Sequence, residues 1–333
     1  MMEPLRVVDM HTGGEPLRIV TSGYPAIPGA TILEKRAYVR DHLDHLRKML
    51  MFEPRGHADM YGALLVEPSL PGADLAVLFM HNEGYSTMCG HAIIALGRFA
   101  VDRGMVPIDG DQATVSIECP CGLVVADVAI REGRAAEVSF VSVPSFLFAG
   151  DASVAVPGHG AIVCDIAYGG AFYALAPAAA FGLEFGRDPV AAFIEAADRL
   201  TQAAKAAVPL NHPDAEDLAF LYGSILTDGG EGGNEPSRNV CVFADRQVDR
   251  SPTGSGVTAR MAALHARGKV AVGDTRVFES IIGSRFTGKV EAAARAGDFA
   301  AATVRVAGRA HYCGEASFTV EADDPLGGGF LVR

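Results

Sequence analysis

The sequence of 333 residues has no run of basic residues: its formal charge is −12, and the longest local excess of positive charge is scattered from Arg40 to Lys48. Nothing in it could track a phosphate backbone, so nucleic acid is not an expected partner. The N-terminal MMEPLRVVDM lacks the basic stretch and apolar core of a secretory signal, and a cytoplasmic protein is expected. No membrane span is expected either, because the uncharged stretch from Ile166 to Leu183 contains Gly169, Gly170, Pro177 and Gly182. It reads as a buried strand followed by a helix start. The six cysteines, Cys89, Cys119, Cys121, Cys164, Cys241 and Cys313, form no C-x-x-C pair and no zinc-like spacing with histidine, so reduced thiols and no metal are expected, most of them small buried hydrophobes. Thr253-Gly254-Ser255-Gly256 lacks the Walker lysine and the complete dinucleotide fingerprint, which leaves a small carboxylate as the better anion for that string.

What is present is enough apolar residue, 49% of the chain, to bury a sizeable core in two domains or two lobes. Apolar alternation reads as strands at Arg18–Ser22, Gly62–Glu67, Leu75–Met80, Ala113–Glu118 and Leu123–Ile130, so strands are expected to dominate the first half. Helical periodicity covers Thr31–Leu50, Ala92–Arg103, Val190–Ala207 and Val257–Arg267, with Gly104 and Gly268 as stops. Runs of strands without strict alternation with helices predict an α+β fold.

A weak internal repeat appears when Met88-Cys89-Gly90-His91 is laid on Pro252-Thr253-Gly254-Ser255: each is followed by an Ala-rich apolar helix that runs to an Arg-Gly stop. Coincidence between two Gly-flanked helix starts is the bland alternative. Duplication would give two similar lobes whose helix starts face a common cleft, each offering unpaired N–H groups and the positive end of a dipole to a substrate carboxylate.

Cys89, just ahead of a helix, is a candidate base, because the dipole should hold its thiolate below the free value of about 8.5. The alternative is an inert buried thiol. His91 is either a satisfied core histidine or a rigid donor towards substrate. Asp249, four residues before Thr253, is either a helix-entry cap or partner of Arg250, or the holder of a substrate ammonium.

These residues resemble the proline racemase family. The resemblance spans nearly the whole chain and rests on Asp9 to Pro16 (DMHTGGEP), Glu53 to His57 (EPRGH), Asn82 to His91 (NEGYSTMCGH) and Asp249 to Gly256 (DRSPTGSG). It implies a fold like diaminopimelate epimerase: two pseudo-symmetric lobes of strands wrapped round a central helix, with the active site in the cleft between. Residues 1–145 would form the first lobe, with 311–333 packing back on it, and residues 146–310 the second. It also implies that backbone groups of Gly90, His91, Gly254 and Ser255 bind the substrate carboxylate, while His91 and Asp249 contact its ring nitrogen.

Racemases and epimerases of the family place a second cysteine where this chain has Thr253. A threonine hydroxyl cannot return a proton as that thiol does. The Cys89 and Thr253 pair is therefore similar to that of the family's trans-3-hydroxy-L-proline dehydratases, which implies α-proton abstraction, loss of the 3-hydroxyl and formation of Δ1-pyrroline-2-carboxylate with no metal, pyridoxal phosphate or nicotinamide. Two rivals stay open: a proline or 4-hydroxyproline 2-epimerase in which Thr253 works through a water, and a non-catalytic imino-acid-binding protein. The acid for the departing hydroxyl is open among Thr253, a water held by it and His57, and a homodimer is left open.

Overall fold

Alternating apolar and polar residues build strands through both halves of the chain, and the computed structural model describes residues 3–213, 216–233 and 235–332. The chain divides into two compact units, Met1–Phe140 with Arg309–Arg333, and Val141–Gly308.

In the first unit, β1 (Leu5–Thr12) and β2 (Glu15–Ser22) form an antiparallel hairpin, turned by Gly13 and Gly14 at φ 59° and 91°. Two helices follow, α1 (Ile32–His42) and α2 (Asp44–Met51). The strands β3 (Tyr61–Val66) and β4 (Leu75–His81) lead to α3 (Gly90–Asp102), then to β5 (Gln112–Cys119), β6 (Gly122–Arg131) and β7 (Arg134–Val141). The chain returns at the end, where the strand Ala310–Phe318 pairs antiparallel with β1. Eleven of the thirteen residues of α3 are buried, as expected of a helix apolar all round, and it packs on β1, β2, β5, β6 and the C-terminal strand. A separate cluster that includes Leu5, Val20, Leu50, Leu64 and Met80 joins α1 and α2 to the strands.

In the second unit, β8 (Ser145–Val156), β9 (Gly160–Tyr168) and β10 (Phe172–Pro177) form an antiparallel series, followed by α4 (Val190–Ala207). The strand β11 (Leu221–Thr227) lies parallel to β10, and β12 (Ser237–Phe243) and β13 (Gln247–Asp249) continue antiparallel. Helix α5 (Gly254–Ala266) precedes β14 (Thr275–Glu279), β15 (Arg285–Ala296) and β16 (Phe299–Gly308). Phe172, Phe193, Leu200 and Leu226 fill the core under α4, each contributing roughly 1.5–3 kcal/mol by burial. Helix α5 packs on β8, β9, β10, β15 and β16.

Helices α3 and α5 are the local repeat in solid form. Each has thirteen residues, and each ends at an arginine (Arg103 φ −91°, ψ 1°; Arg267 φ −87°, ψ 2°) followed by a left-handed glycine (Gly104 φ 67°; Gly268 φ 69°).

Several expectations need correction. The helix expected over Thr31–Leu50 is two helices: Leu43, at φ −123° and ψ 12°, leaves the helical region and turns the chain. Helices α3 and α5 start earlier than their apolar periodicity suggested, so that Gly90 and His91, and Gly254 and Ser255, are first-turn residues. The stretch Ile166–Leu183 holds the end of β9, a turn, all of β10 and a short 3-10 helix at Ala178–Phe181. Strands dominate the first half of the chain, as expected, and run through the second half as well. Among the described residues no helix is long and apolar enough to cross a membrane.

Candidate active site

In the first unit, β4 delivers the chain to the start of α3, where Cys89 is the N-cap residue, extended at φ −151° and ψ 107°. Its thiol is buried. Sγ lies 3.1 Å from Nδ1 of His91, whose backbone carbonyl accepts from Thr12 Oγ1 at 2.8 Å. Burial pushes the His91 imidazole down to about 3, a drop only slightly opposed by its bond to the Pro16 carbonyl. The ring is neutral at neutral pH and so orients the sulfur without standing beside it as a cation. Tyr61 packs edge-on against it at 4.9 Å and pairs through its hydroxyl with Ser86 Oγ. The first-turn N–H groups of Gly90 and His91 have no intrahelical acceptor and carry the positive end of the helix dipole.

Behind this helix start lies the β5–β6 turn Cys119-Pro120-Cys121, whose Cys121 N–H donates to the Thr87 carbonyl at 3.2 Å. Burial pushes the Cys119 thiol well up, with Cys121 and Cys89 adding to the effect, whereas a hydrogen bond from Cys119 draws Cys121 down. None of the six cysteines is in a disulfide. His57, the other histidine considered for proton transfer, is exposed, with Nδ1 2.7 Å from the Ala58 carbonyl.

In the second unit, β13 ends at Asp249 and the chain turns sharply into α5. Asp249 is buried and accepts from the Ser251 N–H at 2.7 Å, a bond inside the turn and not a cap of the helix, whose N-cap is Thr253. Burial raises its carboxyl above the usual range, against the pull of Ser251, Thr253 and Arg250. A carboxylate whose charged form is disfavoured by burial is one that gains from a bound ammonium.

Thr253, the N-cap of α5, has φ 66° and ψ 102°. This is a left-handed conformation that a β-branched residue adopts at a cost of roughly 1–3 kcal/mol, and such strain gathers at functional sites. Its buried hydroxyl helps keep the Asp249 carboxylate ionised but makes no well-formed hydrogen bond to any described residue. Gly254 is buried, and the hydroxyl of Ser255 pairs with Tyr173 Oη at 2.7 Å. Tyr173 is itself 1% exposed and was invisible in the sequence, where it reads as one more core aromatic of a strand.

The structure thus brings Cys89, Gly90 and His91 together at one helix start, and Asp249, Thr253, Gly254 and Ser255 together at another. Each combines orphan N–H groups with a buried side chain able to take part in proton or ion chemistry. Among the described residues no three His, Cys, Asp or Glu side chains are grouped to hold a metal ion.

Residues 7–331 match the family described as proline racemase. The chain is 58% identical over 335 aligned residues to the trans-L-3-hydroxyproline dehydratase of Pongo abelii, covering 99% of this chain and 95% of that protein. It is 46% identical to the 3-hydroxyproline 2-epimerase of Burkholderia multivorans, covering 99% and 98%. Among solved structures, a hydroxyproline epimerase from Agrobacterium vitis with bound trans-4-hydroxy-L-proline superposes with a TM-score of 0.90 at 30% identity, covering 100% of this chain and 96% of that one. The chain belongs to the proline racemase family and has its α+β fold.

Proposed function

We infer that the chain is a hydro-lyase that dehydrates trans-3-hydroxy-L-proline to Δ1-pyrroline-2-carboxylate. The observation that carries this reading is the unequal pair of helix starts: a buried thiol at Cys89 and a hydroxyl, not a second thiol, at Thr253. A two-base racemisation needs groups of matched pKa on both faces of the α-carbon, and a threonine is too weak an acid to be one of them. The higher identity to a dehydratase than to an epimerase supports the same reaction.

The family resemblance implies a diaminopimelate epimerase-like pair of lobes, each wrapped on its central helix, with both helix starts serving one substrate. In that arrangement the N–H groups of Gly90, His91, Gly254 and Ser255 receive the carboxylate, and His91 and Asp249 hold the ring nitrogen. The Cys89 thiolate takes the α-proton. The electron pair left on Cα forms the Cα–Cβ double bond as the Cβ–O bond breaks, and the hydroxyl departs as water after taking a proton on the Thr253 side. The resulting enamine tautomerises to the imine. Every electron stays within the substrate, so the reaction needs neither oxidant nor reductant, and the reading assigns it no cofactor.

The test is to incubate the protein with trans-3-hydroxy-L-proline, its cis isomer, trans-4-hydroxy-L-proline and L-proline, trapping imine with borodeuteride and following optical rotation. Imine from trans-3-hydroxy-L-proline, with little turnover of the 4-hydroxy isomer, is expected, because only a hydroxyl β to the carboxylate can leave from the α-carbanion. Epimerisation of trans-4-hydroxy-L-proline at rates comparable to dehydration would sink the reading.

A further inference from the structure

The turn ahead of α5 is tied down by a buried relay that the reaction described above leaves unused. Asn239 of β12 is fully buried, and its Nδ2 donates to the Pro252 carbonyl at 3.1 Å. Its Oδ1 accepts from Arg260 Nη1 of α5 at 3.1 Å. Arg260 is buried too: Nη2 donates to Ser237 Oγ at 2.6 Å and to the Gly230 carbonyl at 3.0 Å, and the guanidinium lies 4.6 Å from the centre of the Phe278 ring. These acceptors are all neutral. A carboxylate lies one bond further on: Ser237 Oγ donates to Asp228 Oδ1 at 2.8 Å, and the Asp228 charge favours the buried guanidinium, so the relay is a paired polar network.

The relay bears on the strained residue through peptide geometry. The Pro252 carbonyl and the Thr253 N–H belong to one rigid peptide plane. Asn239 holds the carbonyl edge of that plane, and Ser251 Oγ accepts from the Thr253 N–H at 3.0 Å. On the other side of the Thr253 Cα, its own carbonyl accepts from the Val257 N–H at 2.7 Å as the first bond of α5. Both planes flanking Thr253 are anchored, so its φ and ψ are set by its neighbours against its own preference. Released at the Asn239 end, the plane can rotate and let Thr253 relax to negative φ, which swings its side chain away.

We propose that Asn239, backed by Arg260, is a positioning residue that holds Thr253 at its left-handed backbone angles and thereby aims the Thr253 hydroxyl at the departing group of the substrate. This role rests on the dehydration reading. It makes elimination depend on Asn239 while proton abstraction by Cys89 does not.

The test is Asn239→Asp in the full-length protein. The carboxylate keeps an acceptor for Arg260, indeed a charged one, but puts an oxygen where the donor to Pro252 stood. Dehydration kcat is expected to fall by up to roughly 10²-fold, the scale of a misplaced reacting group, with KM within about threefold. Exchange of the substrate α-proton with deuterated water should persist, so that exchange events per dehydration rise. In a Thr253→Ala background the same substitution should change kcat no further, the non-additivity expected of residues acting as one unit. Should Asn239→Asp fold poorly, Asn239→Ser, which also loses the donor to Pro252, is read by the same exchange ratio. A wild-type exchange ratio in the folded variant, or an equal loss of kcat with and without the Thr253 hydroxyl, would overturn the proposal. The wild type distinguishes the two readings: no imine from it removes the dehydration reading and this role together, whereas equal imine formation by wild type and variant removes the role alone.

Discussion

Cys89 carries its chemistry through position: a thiol at an N-cap, 7% exposed, with an imidazole nitrogen 3.1 Å away. A serine at the same place keeps the size and the helix start but is not ionised near neutral pH. Cys89→Ser is therefore expected to lose dehydration by at least the roughly 10²- to 10⁴-fold attributable to general base assistance, and to lose exchange of the α-proton with deuterated water in parallel, with the circular dichroism spectrum unchanged. Wild-type dehydration in Cys89→Ser would move the base to another residue, His91 first. At this scale the sequence was legible where chemistry coincides with local grammar. Met88 to His91 and Pro252 to Ser255 stand out because glycine sits next to a reactive side chain at the head of an apolar helix. Asn239 and Tyr173 do not stand out. Their partners, Pro252 and Ser255, are distant in sequence, and a buried amide on a strand leaves no periodic trace. Nor could the φ of Thr253 be read, since a threonine in the left-handed region runs against its own propensity.

At the scale of elements, the start of α5 is held by close approach of a strand turn as well as by hydrogen bonds. Gly169, at the β9–β10 turn, has no room for a side chain: a Cβ there would lie 2.2 Å from the Ser255 carbonyl oxygen and 2.5 Å from the Ala259 N. Those atoms are helix backbone, which cannot swing aside. Gly169→Ala is expected to displace the first turn of α5, costing about 1–3 kcal/mol of stability by overpacking and raising KM for the imino acid more than it lowers kcat. Urea unfolding and steady-state kinetics check both, and wild-type values for both would show that the turn does not set the helix position. Elements with strong periodicity were legible, as at Val190–Ala207, where expectation and structure coincide. The β15–β16 hairpin was not. Its facing residues include Ala292 to Ala294 against Ala301 to Thr303, and alanine, small and a good helix former, gives neither the amplitude of alternation nor the propensity that marks a strand. The early start of α3 and α5 was missed for a related reason: glycine and serine in a first turn look like loop residues, although the site is built from them.

For the whole molecule, acid stability depends on histidines buried in their neutral form. Burial lowers His81 to about 3, helped by the nearby Arg47 and Arg36, and burial lowers His91 to about 3, against an ordinary value of 6.5 that the unfolded chain recovers. The folded pKa lies below the unfolded one, so as pH falls below about 6.5 the unfolded chain takes up protons that the folded chain refuses. Stability is thus fully present above that value and drains away towards pH 3. Between pH 6.5 and 5 each such histidine removes on the order of 1–2 kcal/mol, and the two together about 3. The carboxyls of Asp44, Glu118 and Glu279, lowered in the fold, add to the loss only at lower pH, where unfolded carboxylates titrate. Asp249, raised by burial, acts in the opposite sense, losing stability as pH rises from the ordinary carboxylate value through its own. The window from 6.5 to 5 therefore isolates the histidines in large part. His81→Asn keeps an acceptor for the Glu83 N–H, which His81 Nδ1 now takes at 3.2 Å, but cannot be protonated. Urea midpoints measured at pH 7, 6 and 5 should fall distinctly less steeply in this variant than in the wild type, with His91 and His311, both lowered by burial, still contributing, and an unchanged slope would mean that His81 is not held neutral by the fold.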